Sequence, residues 1–469
     1  MALRIGRNGS LFFGQLALSL MQSLFMYSYV KVFLNIYHIS QYWFSIGQIF
    51  FMIWNAINDP LFGYLQDFGS NWMRHRNRIF LLFGPFLVFS FLSLWFPWST
   101  SKESSTIQGF HLIFSLFFYD AFYSCLSVAW GALFAESSND HTKRVQAMKY
   151  SQLAILTSVN IIGVVDKFSN NLTNFSNFQN ITIVVGFVSF IFLYFTGIGE
   201  SNNNLNYRNT YRESLEENVE LQSMSLNKIF KLSKQILRAK DFQIITLTSF
   251  LHTCRSVAHL NFLSIALDLL IPKTIFPESS WKRSLFVILI ALGPQIIIIL
   301  SERLIVYYGT YRTMMFSFVI SILSSILYYF SFSPRVLLIF MIIDAITVHS
   351  FAPLYNILLS EFIADDARRY SRPKYLSSFV FSINSLIMKP AQSITPIVIV
   401  SYLNSSGYQK YISKALTQTS EDFIGLKYSM TTVLFLTPLL VGLVQYVVFK
   451  RYSLRHRKTS NIDNVLLKL

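Results

Sequence analysis

Asp59 stands deep in a long apolar run, with Asn55 one helical turn before it and Asn58 beside it. A carboxylate flanked by amide carbonyls presents oxygen donors alone, a set that suits a hard cation such as Na+, or a proton held on the acid. The rival reading is local, with Asp59 hydrogen-bonding around Pro60 and serving packing alone. Asp120 and Lys389 are further ionisable groups inside apolar runs. Each such group costs about 2.5–3.5 kcal/mol on insertion scales unless it finds a partner or a water-filled cavity. Lys389 therefore calls for an acid, Asp59 or Asp120, or else its amine snorkels to the interface.

His252, Arg255 and His259 are spaced by three and four residues, so they share one helix face. Such a polar stripe should line a cavity, where Arg255 suits an anionic or hydroxylated solute. Asp344 is the charge that matches Arg255, whereas His349, five residues further on, points away from Asp344 in a regular α-helix. Gln15, Ser19 and Gln22 fall at helical spacing and either hydrogen-bond a polar solute or act as packing glue. The two histidines of the stripe lack further ligands at zinc spacing, and no metal site is expected. No Gly-rich phosphate loop, nucleophile elbow or catalytic acid pair is evident, so the expectation is a non-enzyme without a resident cofactor.

These residues need elements to hold them, and the composition says which. Of 469 residues, 53% are hydrophobic, 17% aromatic and 13% charged. A globular surface usually draws on about 25% charged residues, so most of this chain's surface must face lipid. Crossing the roughly 30 Å hydrocarbon layer takes about 20 apolar residues in a helix. Twelve stretches qualify: 11–36, 41–66, 78–98, 107–135, 146–166, 180–199, 242–270, 284–304, 312–332, 335–362, 376–402 and 429–450. Long continuous runs exclude a β-barrel, whose segments are short and alternating. The first run is too long for a cleavable signal core and reads as a span. Cys125 and Cys254 lie in apolar runs and form no disulfide framework.

The net charge of +16 does not imply nucleic acid, because the basic residues lie between spans and at the C-terminus. With the N-terminus inside, Arg74, Arg76, Arg78, Lys143, Arg144, Lys149, the stretch 208–240, Arg368, Arg369, Arg372 and the tail fall on the cytoplasmic side. Sequons at Asn171, Asn174, Asn180 and Asn404 then fall on the opposite face, where glycosylation occurs. Passage through the secretory route to the plasma membrane is the default, with both termini cytoplasmic.

The polar stretch 200–241 divides the spans six and six, and 226–240 within it has an amphipathic pattern suited to the membrane surface. The expected organisation is a six-helix bundle over 1–199, a linker over 200–241, a second six-helix bundle over 242–450 and a basic tail over 451–469. Two such bundles form the major facilitator fold, an all-α membrane architecture that binds solute between its halves. At the end of span two, Gly63 and Asp67 precede Arg74 and Arg78, an acid with basic residues that would act as a gating latch. A fainter echo runs through Ser301-Glu302-Arg303, Gly309 and Arg312.

The stretch Trp54-Asn55-Ala56-Ile57-Asn58-Asp59-Pro60-Leu61-Phe62-Gly63-Tyr64-Leu65-Gln66-Asp67 resembles the second-helix signature of the glycoside–pentoside–hexuronide:cation symporters, the melibiose-permease branch. Within it the chain looks most like the transmembrane protein 180 family, through Trp95-Phe96-Pro97-Trp98, Tyr119-Asp120, Lys389-Pro390-Ala391-Gln392 and Phe449-Lys450-Arg451-Tyr452. The resemblance covers nearly the whole chain. It implies a carrier for a sugar-like solute coupled to Na+ or H+, with Gln392 joining the cavity set. Two departures qualify this. Asn55 stands where the branch usually has a second carboxylate, and no acid precedes Asp59, so the pair of aspartates that clamps sugar is not intact. Asp120 falls near a position that supplies a cation-site hydroxyl in the branch and would restore a second carboxylate.

The resulting expectation is a monomeric secondary transporter of a small polar solute, working by alternating access in the bilayer and independent of nucleic acid. The alternative is a carrier-derived receptor or scaffold that transports nothing, which the two missing acids motivate.

Overall fold

The computed structural model describes residues 5–69, 72–99, 105–169, 172, 174–199, 226–277, 281–372, 374–408 and 421–454. The described residues are helical with short connections, and no strand occurs among them. In chain order the helices are α1 (Arg7–Lys31), α2 (Gln41–Phe68), α3 (Arg76–Ser93), α4 (Ser105–Glu136), α5 (His141–Val159), α6 (Ile161–Ser169) and α7 (Phe175–Ile198). After the linker come α8 (Leu226–Arg238), α9 (Lys240–Leu270), α10 (Trp281–Leu300), α11 (Glu302–Phe330), α12 (Pro334–Ala345), α13 (Leu354–Arg369), α14 (Ser377–Asn404) and α15 (Glu421–Phe449). Most of the linker, 200–225, and the tail beyond 454 lie outside the described residues.

Among the described residues, nine helical stretches are long and apolar enough to cross a membrane. The three other expected spans, 41–66, 146–166 and 242–270, coincide with α2, with α5 and α6, and with α9. Their lower apolarity has a cause, because α2 carries Asn55, Asn58 and Asp59 and α9 carries His252, Arg255 and His259. The helices also overrun the apolar windows, since backbone hydrogen bonding continues past the hydrocarbon into the polar ends. Two expected spans are interrupted. Span 146–166 breaks at Asn160, and span 335–362 passes from α12 into a π-helical turn, Ile346–Ser350, then a turn at Pro353 before α13. Proline lacks the N–H that a continuous helix needs. A second π-helical turn, Val32–Ile36, ends α1.

The described contacts divide into two compact units, Met1–Ile236 with Leu359–Leu386, and Leu237–Leu358 with Ile387–Leu469. In the first, α1 packs on α5 and α7, α2 on α4, and α3 on α4 and α7. Gly14 permits the approach of α1 to its neighbours: a Cβ there would sit 3.1 Å from both Trp130 and Thr196. Trp130 Nε1 donates to the Leu11 carbonyl at 3.0 Å across the same contact. Phe50, Ile53, Ile57 and Leu61 of α2 form an exposed stripe at helical spacing, while Asn58 and Asp59 are buried. An apolar stripe outside and polar groups inside is the reverse of a helix on a soluble surface and matches a lipid-facing one.

In the second unit α11 and α9 pack on α15, and α10 lies against the turn Ile346–Ser350. Its core joins Ala258, Phe262 and Ala266 of α9 to Phe340 and Met341 of α12 and Leu426 and Met430 of α15. Tyr328 stacks on Phe340 with centroids 4.9 Å apart. Gly309 interrupts the helical dihedrals of α11 at φ 79°, a conformation that residues with a Cβ rarely adopt.

Candidate functional sites

Three polar constellations stand out from this apolar scaffold. The first joins α2 to α4. Asn58, Asp59 and Asp120 are all buried, and the Asn58 amide donates to the Asp120 carboxylate and, at 3.5 Å, to the Asp120 carbonyl. Asp59 and Asp120 both lie close enough to Tyr123 to interact with it electrostatically. Asn55 is half-buried one turn away. Tyr119, next to Asp120, donates to Gln22 Oε1 at 3.0 Å, which links α1 to the same region. Gln15 Nε2 donates to Ser19 Oγ at 2.8 Å, so these two satisfy each other within α1. The arrangement places two carboxylates in a buried setting, one of them accepting from the Asn58 amide, where a cation or proton would complement the remaining negative charge.

Lys389 and Gln392 lie on the part of α14 that belongs to the second unit, Lys389 half-buried and Gln392 exposed. Asp59 and Asp120 belong to the first.

The second constellation closes the end of α2. Asp67 holds the Arg76 guanidinium at 2.5 Å and accepts the Phe379 backbone N–H at 2.7 Å. Phe379 lies in the first turn of α14, whose unpaired N–H groups and dipole favour a carboxylate there. Arg76 also donates to the Gln66 carbonyl at 2.7 Å and to Glu136 at 3.2 Å. Gln66 accepts from Ser378 Oγ at 2.9 Å and donates to the Cys125 carbonyl at 2.7 Å. A Cβ on Gly63 would come within 2.8 Å of the Ser378 carbonyl, so the glycine admits α14. Gly63 and Asp67 thus both lie against α14, and the arginine paired with Asp67 is Arg76. Arg78 is exposed and Arg74 half-buried. The reason is angular: α3 starts at Arg76, which turns inward to Asp67 while Arg78, two residues on, faces out. Glu136, the last residue of α4, is a member of this cluster that sequence alone does not single out. Lateral contacts tie the same region together, with His141 Nδ1 3.2 Å from Glu361 Oε1 and Tyr375 donating to Asn139 at 3.1 Å.

The third constellation lies wholly in the second unit. Arg255 donates to Asp344 Oδ1 from Nε at 3.1 Å and from Nη2 at 2.5 Å, and to Thr347 Oγ1 at 2.5 Å. His259 Nδ1 lies 2.8 Å from Asp344 Oδ2. The charge match between Arg255 and Asp344 is therefore a direct contact. The expectation for His349 needs correction. Although five residues from Asp344, it turns to the same side, its ring 5.2 Å from that of His259, which contacts Asp344. The π-helical turn explains this, because i→i+5 bonding adds a residue to the turn and brings position 349 round beneath 344. His252 packs its ring 5.1 Å from Tyr355, which donates to the Thr248 carbonyl. Among the described residues, no cluster of His, Cys, Asp and Glu could hold a metal ion.

Of the sequons, Asn171 lies outside the described residues. Asn174 is exposed and caps α7 by accepting the Asn177 N–H at 3.2 Å. Asn180 is exposed within α7, and Asn404 is half-buried at the end of α14.

Comparison with known proteins agrees with this architecture. A family model described as MFS/sugar transport protein matches residues 10–456. Transmembrane protein 180 of Gallus gallus is 22% identical over 414 residues, covering 82% of this chain and 78% of that protein. Its counterpart in Mus musculus is 32% identical over 149 residues, covering 28% of this chain; the match spans about a quarter, 27%, of the mouse protein's length. Among solved structures, a bacterial homologue of the iron transporter ferroportin in an outward-facing state superimposes with a TM-score of 0.62 at 16% identity, covering 96% of this chain and 99% of that one. The human organic anion transporter MFSD10 gives 0.57 at 14% identity over 93% and 98% of the two chains, and the proton:xylose symporter XylE gives 0.53 at 14% over 95% and 94%. These likenesses establish an all-α major facilitator fold in a multi-pass membrane protein. The chain belongs to the MFS/sugar transport family, with the transmembrane protein 180 proteins among its relatives.

Proposed function

We propose that the chain is a secondary active carrier that moves a small polar, sugar-like solute by alternating access, coupled to Na+ or H+. The observation that carries this reading is the buried Asn58–Asp120 contact with Asp59 beside it. Such a costly group of oxygen donors has no packing purpose that an apolar trio would not serve better. The family's description as sugar transport proteins, and the xylose and proton named for one structural neighbour, support the solute class. Iron and organic anions, named for the others, are the competing cargoes. The latch at Asp67 supports a cycle in which α14 docks and releases. Lys389 would supply a balancing charge during that cycle. Residence in the plasma membrane, cytoplasmic termini, a monomeric state, and glycans at exposed sequons complete the proposal.

The test is uptake by cells overproducing the protein, screened across metabolites at two external pH values with and without Na+. Asp59→Asn should abolish gradient-driven uptake at unchanged surface expression, and undiminished uptake by that variant would refute the coupling role. A second reading, a receptor or scaffold without transport, draws on the self-satisfied Gln15–Ser19 pair and on Gln22 being taken by Tyr119. It gains if no solute is moved under any condition.

A further inference from the structure

The cluster around Asp344 has a feature that a structural ion pair does not need. His259 approaches the Asp344 carboxylate through Nδ1, and a carboxylate can only accept, so Nδ1 carries the proton. In the neutral imidazole Nε2 is then a bare acceptor. His259 is only 8% exposed, and this buried Nε2 has no hydrogen-bond partner among the described residues. The Nε2 atoms of His349 and His252 are likewise buried without partners. A bare, sheltered nitrogen backed by a carboxylate is the arrangement of a general base.

From this geometry we propose that the second unit carries a proton-binding site of its own, in which His259 Nε2 accepts the proton and Asp344 holds the resulting imidazolium. The step is a simple transfer: a hydronium or hydroxyl donor gives its proton to Nε2 and leaves as water or as the conjugate base, and the Nδ1–H bond to Asp344 remains. The site rests on the carrier reading for its purpose, but its existence does not depend on transport.

The surroundings set the sign. Facing His259 are Arg255 on its own helix, Asp344 on α12, and His349 on the π-helical turn; His252 and Tyr355 lie one contact further out. With the histidines neutral, Arg255 and Asp344 cancel. Adding a proton leaves one net positive charge in a buried place, opposed by Arg255 and supported by Asp344. Loading is therefore linked to any event that brings negative charge or draws Arg255 away, and such linkage is reciprocal. The π-helical turn carries His349, whose Nε2 offers a second acceptor for onward transfer.

The test reads the proton directly. Ala258–His259 is the one Ala–His pair in the chain, so labelling alanine carbonyls with 13C and histidine with 15N identifies His259 without a variant. The full-length protein in lipid nanodiscs is examined by nitrogen NMR at pH 8 and pH 5. The expected result is a proton on Nδ1 and a bare Nε2 at pH 8, with both nitrogens protonated at pH 5. Asp344→Asn should abolish the uptake of the second proton. A proton on Nε2 at pH 8, or an unchanged ring at pH 5, would overturn the proposal even if uptake assays succeed. The wild-type spectra alone decide if Asp344→Asn does not fold. A failed uptake screen leaves this result standing, so the two readings fail separately.

Discussion

The Asp67 carboxylate accepts the Phe379 backbone N–H at 2.7 Å while it holds the Arg76 guanidinium at 2.5 Å. One side chain thus serves as the cap of α14 and as half of a buried ion pair, so the docking of α14 depends on a charge at the end of α2. Asp67→Asn keeps an acceptor but removes that charge. Removing one partner of a buried pair costs about 3–5 kcal/mol, and the lower end applies because Glu136 stays on Arg76. Hydrogen exchange at Phe379 should accelerate at least about tenfold, the factor that 1.4 kcal/mol represents. Unchanged protection there would show that Asp67 does not hold α14.

Gly63 and Gly309 should respond to alanine for different reasons. At Gly63 the new Cβ meets the Ser378 carbonyl at 2.8 Å, and a backbone atom cannot step aside as a flexible side chain could. Ser382→Ala in the same molecule should restore only part of the loss, because it removes the Ser382 hydroxyl but leaves the Ser382 Cβ and the Ser378 carbonyl against the new methyl. At Gly309 there is open space, but φ is 79° and ψ 157°, a region essentially reserved for glycine, and alanine strains the backbone by about 1–3 kcal/mol. Thermal unfolding of G63A, G63A/S382A and G309A would separate the two mechanisms.

Much of the candidate chemistry was legible because a charge in lipid has few reasons to exist. Asp59, Asp120, Arg255 and Asp344 announce themselves by type and surroundings alone, and opposite sign sufficed to pair Arg255 with Asp344. What sequence could not reveal was angle. Whether Arg74, Arg76 or Arg78 meets Asp67 depends on the residue at which α3 begins. Whether His349 turns toward His259 depends on a π-helical turn, and periodicity reasoning assumes 3.6 residues per turn throughout. The broken course of span 335–362 was hidden for a related reason: the stretch is apolar enough to read as one continuous helix, and only Pro353 hinted otherwise.

Glycosylation provides a check on orientation. Asn174 is exposed at the start of α7, clear of the apolar stretch, whereas Asn180 sits within α7 with the Thr182 of its sequon fully buried. Glycosidase treatment should change the gel mobility of the wild-type protein, and Asn174→Gln should remove part of that change while Asn180→Gln leaves it intact. If the orientation were reversed, none of these sequons would be modified, and the treatment would leave mobility unaltered.

The Arg255–Asp344 pair allows structure and function to be separated energetically. Both residues are buried, and Asp344 is shared between Arg255 and His259. Asp344→Leu alone strands the guanidinium, and Arg255→Met alone leaves the carboxylate with the imidazole only. Each should lower stability by about 3–5 kcal/mol, with Arg255→Met the milder because His259 can become the counter-ion. The double variant Arg255→Met/Asp344→Leu removes both charges and fills similar volume, so its stability should return close to that of the wild type. Thermal unfolding in detergent measures the cycle. A stable double variant that still moves solute but no longer couples it to a proton gradient would assign the pair to coupling; additive losses in the cycle would mean that the two charges do not act together.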